Sequence, residues 1–203
     1  MRIFSYVVAR DYGFAPNPFH GYCTLATCKP VIRRVAKVGD WVVGTGSAKS
    51  KRRGFLVYAM KVTEVLTFDE YWRDSRFLEK RPNLRGSVKQ AYGDNVYHRD
   101  EGSGAWMQED SHHSLKNGAT NLANLETDTQ SPKVLISTDF AYYGGDGPKI
   151  PTELRNFGMH DICAGHGHKS DFPIDLVENF ENWFRSLDEH GYLGAPMDWH
   201  LSH

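Results

Sequence analysis

The sequence predicts an α+β domain built on a small, mostly antiparallel sheet or barrel. Three observations carry that expectation. Strand-like runs come early and close together, without the alternating strand–helix rhythm of a doubly wound sheet. A long polar stretch, residues 78–132, interrupts the chain with few apolar runs. Near the end, residues 174–191 carry an apolar stripe at helical spacing.

Taken in order, RIFSYVVA (residues 2–9) is β-branched and aromatic and stops at Asp11-Tyr12-Gly13, as a strand does. Residues 13–34, GFAPNPFHGYCTLATCKPVIRR, hold prolines, glycines and aromatics that exclude a regular helix. Two strands follow, DWVVGTG (40–46) and GFLVYAMKVTEVL (54–66), joined by the short basic loop SAKSKRR as a hairpin. Within the second, Leu56, Tyr58, Met60 and Val62 alternate and point one way. Thr67 with Glu70 three residues on gives the N-cap and capping box of a helix. KVLISTDFAYY (133–143) is a further strand, GGDGP (144–148) a turn, and Pro151–Phe157 a short helix. Residues 174–191 form a C-terminal amphipathic helix on Leu176, Phe180, Trp183, Phe184 and Leu187, closed by Gly191. The whole is read as one domain, 1–203, with an insertion at 78–132; insertions of this length are functional or disordered.

Composition limits the function classes. The chain has 203 residues, 40% of them hydrophobic, and no run approaches the roughly 18 apolar residues that span a bilayer. Cys23, Cys28 and Cys163 are an odd count without a disulfide framework, and the first residues lack a signal-peptide layout, so a cytoplasmic protein is expected. A net charge of -1 conceals segregation. Lys29, Arg33, Arg34, Lys37, Lys49, Lys51, Arg52 and Arg53 face a single acid, Asp40, whereas the tail from Asp171 is acidic. Such a basic segment fits a polyanion. Phosphate-loop, dinucleotide, zinc-protease and serine-hydrolase motifs are all missing from the sequence.

Four clusters offer chemistry. The first is Asp11, Asn17 and His20; Asn17, fixed between two prolines, orients a water or reads a base edge, or else only forms an Asx-turn. The second lies in the insertion: Asp94, Asn95, Tyr97, Trp106, Gln108, His112 and His113 combine aromatic faces with donors and acceptors, as an extruded base requires. Asp139 is the third, a carboxylate in an apolar strand, which is costly to bury unless paired, for instance with an arginine. The fourth, His160, Cys163, His166 and His168, has ligand-like chemistry in a spacing that matches no zinc pattern, so no metal and no cofactor are expected.

The phrases GFAPNPFHGYCTLATCKPVIRR, VGDWVVGTGS, LVYAMKVTEVLTFDEYW, GDNVYHRD, WMQEDSHH and VLISTDFAYYGG resemble the nucleotide-modification-associated domain family, second type, over most of the chain. Gly39-Asp40-Trp41, Ser47 and Tyr58 are similar to positions in PUA-like and EVE-like barrels, which hold modified bases. Pro16-Asn17-Pro18-Phe19-His20-Gly21 is fainter in its similarity to the water-activating loop of uracil-DNA glycosylases, whose second, histidine-bearing loop has no counterpart here. The resemblance implies handling of hypermodified bases in conflicts between bacteria and phage. It leads to the expectation of an anti-phage DNA glycosylase that flips and excises a bulky modified base, with phage DNA bearing modified cytosines as partner. In this reading Asp11, Asn17 and Asp139 act at the sugar. Lys29, Arg33, Arg34, Lys49, Lys51, Arg52 and Arg53 hold phosphates. A non-catalytic reader of modified bases is the alternative.

Overall fold

The computed structural model describes residues 1–163 and 165–201. Its strands are β1 (Ile3–Val8), β2 (Cys23–Leu25), β3 (Trp41–Gly46), β4 (Leu56–Lys61), β5 (Glu64–Thr67), β6 (Tyr97–Arg99), β7 (Trp106–Gln108), β8 (Lys133–Ser137), β9 (Asp139–Tyr142), β10 (His168–Lys169) and β11 (Gly191–Tyr192). Its α-helices are α1 (Pro30–Val35), α2 (Phe68–Arg73), α3 (Val88–Ala91), α4 (Leu122–Asp128), α5 (Thr152–Arg155) and α6 (Ile174–Ser186). The chain divides into two compact units. One comprises Met1–Tyr12, Lys37–Thr63 and Ser137–His203; the other comprises Gly13–Ala36 and Glu64–Ile136. The stretch 78–132 lies wholly within the second unit.

The first unit is built on an open six-stranded sheet ordered β10-β1-β3-β4-β9-β11. Pairing is antiparallel except for β1 with β3 and β9 with β11. Among the described residues no sheet closes on itself, so the PUA-like barrel is corrected to an open sheet with β10 and β11 at its edges. One face of this sheet carries α6. Leu176, Val177, Phe180 and Phe184 of the helix are buried against Ile3, Trp41, Val43, Ala59 and Ala141. The helix stops at Ser186, and Gly191, at φ 81°, opens β11 instead of closing the helix. The expected alternation in β4 breaks at a bulge between Gly44 and Thr45 of the paired strand. Leu56 therefore joins the core under α6, while Tyr58 turns to the other face, its hydroxyl 2.8 Å from that of Tyr6. The predicted single strand at 54–66 is likewise two, because the ladder ends at Lys61 and β5 begins a new sheet.

The second unit contains the three-stranded sheet β2-β8-β5 and the ribbon β6-β7. Here α2 starts as the sequence predicts: Thr67 accepts from the Glu70 N–H, and the Glu70 side chain accepts from the Thr67 N–H. The irregular run at 13–34 ends differently from the expectation. Pro30 opens the helix α1, at the one position where its missing N–H costs nothing. The insertion is ordered by short pieces of helix and by β6-β7, and it is pinned by the buried side chains of Tyr97, Asn95, Asp94 and Asp128.

Candidate active site

Three side chains in the second unit meet that the sequence holds far apart: Cys28, His113 and Asp128. Cys28 has φ 56° and Lys29 φ 43°, so two consecutive left-handed residues precede Pro30. Such positions are costly for non-glycine residues and persist only when their surroundings hold them. Here the Cys28 N–H donates to Asp128 Oδ1 at 2.6 Å, and Arg33 Nε donates to the Cys28 carbonyl at 2.8 Å. Asp128 is the last residue of α4 and is buried. Its Oδ2 lies 2.8 Å from His113 Nδ1 and accepts from the Tyr97 hydroxyl at 2.9 Å. The opposite ring nitrogen, His113 Nε2, lies 3.7 Å from Cys28 Sγ.

The surroundings fix this order. Gln108 Nε2 donates to the Tyr97 hydroxyl (3.1 Å) and to the His113 carbonyl (3.3 Å), and Asn124 Nδ2 donates to that same carbonyl at 2.8 Å. Phe14 packs on the imidazole with centroids 4.6 Å apart. Burial opposes a charge on His113. The hydrogen bonds to Asp128 and Cys28, with the charges of both, outweigh it and carry the imidazole up to about 9. Burial raises the Tyr97 hydroxyl, and the Asp128 charge adds to the rise, so Tyr97 stays a neutral donor. At neutral pH an imidazolium thus stands between the partly exposed Cys28 Sγ and the buried Asp128.

This is the nucleophile–base–orienting acid arrangement of thiol and serine acyl-transfer enzymes, recognised by geometry rather than by chain order. Among the described residues, Cys28, His113 and Asp128 are also the one group of such side chains with ligand atoms within 4.8 Å of one another. An ion fits them poorly. The carboxylate already serves the Cys28 N–H, the Tyr97 hydroxyl and His113 Nδ1, while the thiol sits on the other ring nitrogen.

The sequence-predicted residues divide sharply. Tyr97, Gln108 and His113 belong to this site. His112 lies beside it, edge-on to Phe14 at 5.3 Å and to Tyr92 at 5.2 Å. Trp106 packs against Phe68, with the Arg99 guanidinium 4.3 Å from its ring. Asp94 and Asn95 sit elsewhere in the core. Asp94 accepts from Thr24 (2.7 Å) and Tyr71 (2.8 Å), and Asn95 donates to the carbonyls of Tyr71 and Phe77.

Asn17 is locked by Lys80, whose Nζ donates to its Oδ1 at 2.6 Å and to its carbonyl at 3.1 Å. Its own amide donates to the Tyr92 carbonyl, and the Phe19 N–H reaches Asn17 Oδ1 at 3.4 Å, the Asx-turn of the two readings. In the first unit, Asp11 accepts from the Tyr142 hydroxyl and from the Met197 N–H. Asp139 makes a two-pronged ion pair with Arg185 of α6. Tyr142 stands three positions after Asp139 in β9, an odd offset that puts the two on opposite faces of the sheet. Asp11 and Asp139 therefore do not serve one substrate.

Of the cations, Arg33 is corrected outright as a phosphate contact. It is fully buried and donates to the carbonyls of Cys28, Asp128, Ser131 and Lys133. Burial lowers its guanidinium to about 10, though Asp128 and Cys28 oppose the shift. Lys49, Lys51 and Arg53 are exposed on the β3–β4 hairpin with Arg52 half-buried between them; Arg34 is exposed and Lys29 half-buried. Cys163 is buried in the α6 core, where burial pushes its thiol up to about 11; it gathers no ligand cluster with His160, His166 and His168 among the described residues.

Sequence reasoning missed Cys28 and Asp128. Cys28 precedes His113 by 85 residues and Asp128 by 100, and the cysteines are informative in sequence only as a disulfide count. The available signal was a cysteine just ahead of a proline-opened helix in a chain rich in histidine.

The model of nucleotide modification associated domain 2 matches residues 1–203. The chain belongs to this family. No curated protein and no solved structure matches it. Membership supports a role in handling modified nucleotides and is compatible with nucleic acid as a partner. No helix among the described residues is long and apolar enough to cross a membrane.

Proposed function

We propose that this protein is a thiol-dependent enzyme that removes an acyl substituent from a modified nucleobase. The observation that carries the reading is Cys28 Sγ at 3.7 Å from His113 Nε2, with Asp128 on the far ring nitrogen. Family membership supplies the modified nucleotide. Cys28 Sγ, reacting as the thiolate paired with the His113 imidazolium, bonds to the carbonyl carbon of an amide on the base while the carbonyl electron pair moves to oxygen. When that pair returns, the carbon–nitrogen bond breaks and the base amine leaves with the proton of His113 Nε2. Water then attacks the thioester, giving its proton to His113. The adduct collapses by breaking the carbon–sulfur bond, which restores the thiolate beside the imidazolium, and the carboxylic acid released gives its proton to solvent. Asp128 and Tyr97 hold the ring in the tautomer that this requires.

The excision reading rests on Asp11, Asn17 and Asp139, whose polar atoms are engaged by protein partners. These contacts favour the thiol reading over excision. Phage DNA with modified cytosines, as a target in defence, is compatible with the thiol chemistry.

Incubation with N4-acetyl-2′-deoxycytidine and N6-acetyl-2′-deoxyadenosine, alone and within oligonucleotides, tests both readings by chromatography. Expected products are the deacetylated nucleoside and acetate, with turnover reduced at least about a thousandfold in Cys28→Ala and unaffected by a chelator. Release of a free base that persists in Cys28→Ala establishes excision. Bound but unchanged nucleoside establishes a reader. Either result overturns the proposal.

A further inference from the structure

A second site lies in the first unit. A cleft of about 610 Å³ is lined by four stretches of chain: residues 9–12, the β3–β4 hairpin, Gly145-Asp146, and Ala195–Asp198. That volume falls within the roughly 300–1,000 Å³ of small-molecule sites. Ala9, Ala195, Met197 and the ring of Tyr12 supply apolar wall. Arg10, Lys49 and Arg52 supply cations, against the carboxylates of Asp146 and Asp198.

The walls are built firmly. Asp11 ties the two ends of the unit together: its N–H donates to Asp198 Oδ2 at 2.6 Å, its carbonyl accepts from the Asp198 N–H, and its carboxylate accepts from the Met197 N–H. The hairpin is held by the Ser50 N–H to Ser47 Oγ at 3.1 Å and by the Arg52 N–H to the Ser47 carbonyl. Glycine lets the segments close on one another. A Cβ on Gly46 would meet the Arg52 carbonyl at 2.2 Å, on Gly144 the Ala195 carbonyl at 2.0 Å, and on Gly147 the Leu56 carbonyl at 1.7 Å. The Gly-Gly-Asp-Gly turn and the basic hairpin, two motifs that the thiol chemistry leaves unexplained, are thus two walls of one cleft.

The charges point to the ligand. The Arg52 guanidinium is fixed by a 2.6 Å bond to the Gly147 carbonyl and by the Phe55 ring at 3.9 Å. One of its five N–H groups is spent there, and a pre-positioned fork of donors remains. Neither Arg10 nor Lys49 has a hydrogen-bonded or ionic partner among the described residues. Asp146 is positioned by the same turn that receives Arg52, and its carboxylate suits the ring N–H or exocyclic amine of a base. We infer that this cleft binds a nucleotide, its phosphate on Arg10, Lys49 and Arg52 and its base against Asp146 and the apolar wall. The same chemistry is offered by a free nucleoside monophosphate and by a nucleotide within a DNA strand.

Calorimetric titration of the intact chain with the four 2′-deoxynucleoside 5′-monophosphates, the matching nucleosides and a 12-nucleotide single strand tests this. At least one monophosphate, or the strand, binds, and the nucleosides bind at least about tenfold more weakly, since the charge-assisted bonds are missing. Arg52→Gln and Arg10→Gln each weaken binding about tenfold, while Cys28→Ala leaves it unchanged. Monophosphate binding identifies the free nucleotide as the ligand; binding of the strand alone identifies the polymer. No binding by any phosphate-bearing probe at millimolar concentration, equal binding of nucleosides, or indifference to both arginine substitutions overturns the inference. Because Cys28→Ala keeps the cleft, failure here is separable from failure of the thiol chemistry.

Discussion

Two buried polar clusters in the second unit look alike and end differently. Each centres on a buried aspartate that accepts from a tyrosine hydroxyl: Asp94 from Tyr71, and Asp128 from Tyr97. Each holds a base whose proton affinity is displaced. Burial lowers the Lys80 amine to about 8, while its partners raise His113 to about 9. The Asp94 cluster is closed. Lys80 Nζ spends its donors on Asn17 and on the Tyr22 carbonyl, and nothing reactive reaches solvent. The Asp128 cluster ends instead in Cys28, a half-exposed thiol on a left-handed backbone. Burial and displaced ionisation are common to both; an open nucleophile belongs to one. A perturbed titration therefore marks a site only where geometry also presents a reacting atom.

The largest effect is expected from the closed cluster. Lys80→Met leaves Asp94 buried without its cation and destabilises the fold by about 3–5 kcal/mol, read as a lower urea midpoint. Below its own midpoint, the variant alkylates Cys28 with iodoacetamide at the wild-type rate. A change in that rate would break the distinction between the clusters.

The next effect depends on pH. The folded-state affinity of His113 for its proton, about 9, exceeds the ordinary value of 6.5. The stabilisation is therefore fully present below pH 6.5 and is lost as pH rises through about 9. Its size is of order 3 kcal/mol. Urea unfolding of wild type and His113→Gln should differ most near pH 6 and converge towards pH 10. Deacylation should also fall through about pH 9, as the ring loses the proton that the leaving amine needs. A stability difference independent of pH would remove the charged imidazole from the account.

The smallest effect is a control outside both clusters. Thr67→Ala removes the N-cap of α2 and costs about 1 kcal/mol, with Cys28 alkylation unchanged. Slower alkylation would mean that the open site depends on general stability rather than on its own contacts.

Local signals made much of the fold legible. The strand at 2–9, the hairpin of β3 with β4 and the Thr67–Glu70 capping box each depend on neighbours in sequence, and each appears in the structure. Segregated charge marked the hairpin that now lines a cleft. His113, Tyr97 and Gln108 were legible as a polar, aromatic group, because they lie within 17 residues of one another. Local pattern failed where partners are distant. Asn17 and Asp94 have the chemistry of site residues, yet Lys80, Tyr71 and Thr24 occupy them. Arg33 reads as a surface cation until four carbonyls surround it.

The sequence by itself determined β1, the β3–β4 hairpin, the Thr67 cap and the amphipathic stripe of α6, since propensity and periodicity act over a few residues. Tertiary structure alone decided which polar side chains are spent on the fold and which are left to act. A carboxylate's fate depends on the donors that long-range folding brings within about 3 Å. Only that packing set Asp128 and His113 behind Cys28, and only it closed Asp94 away.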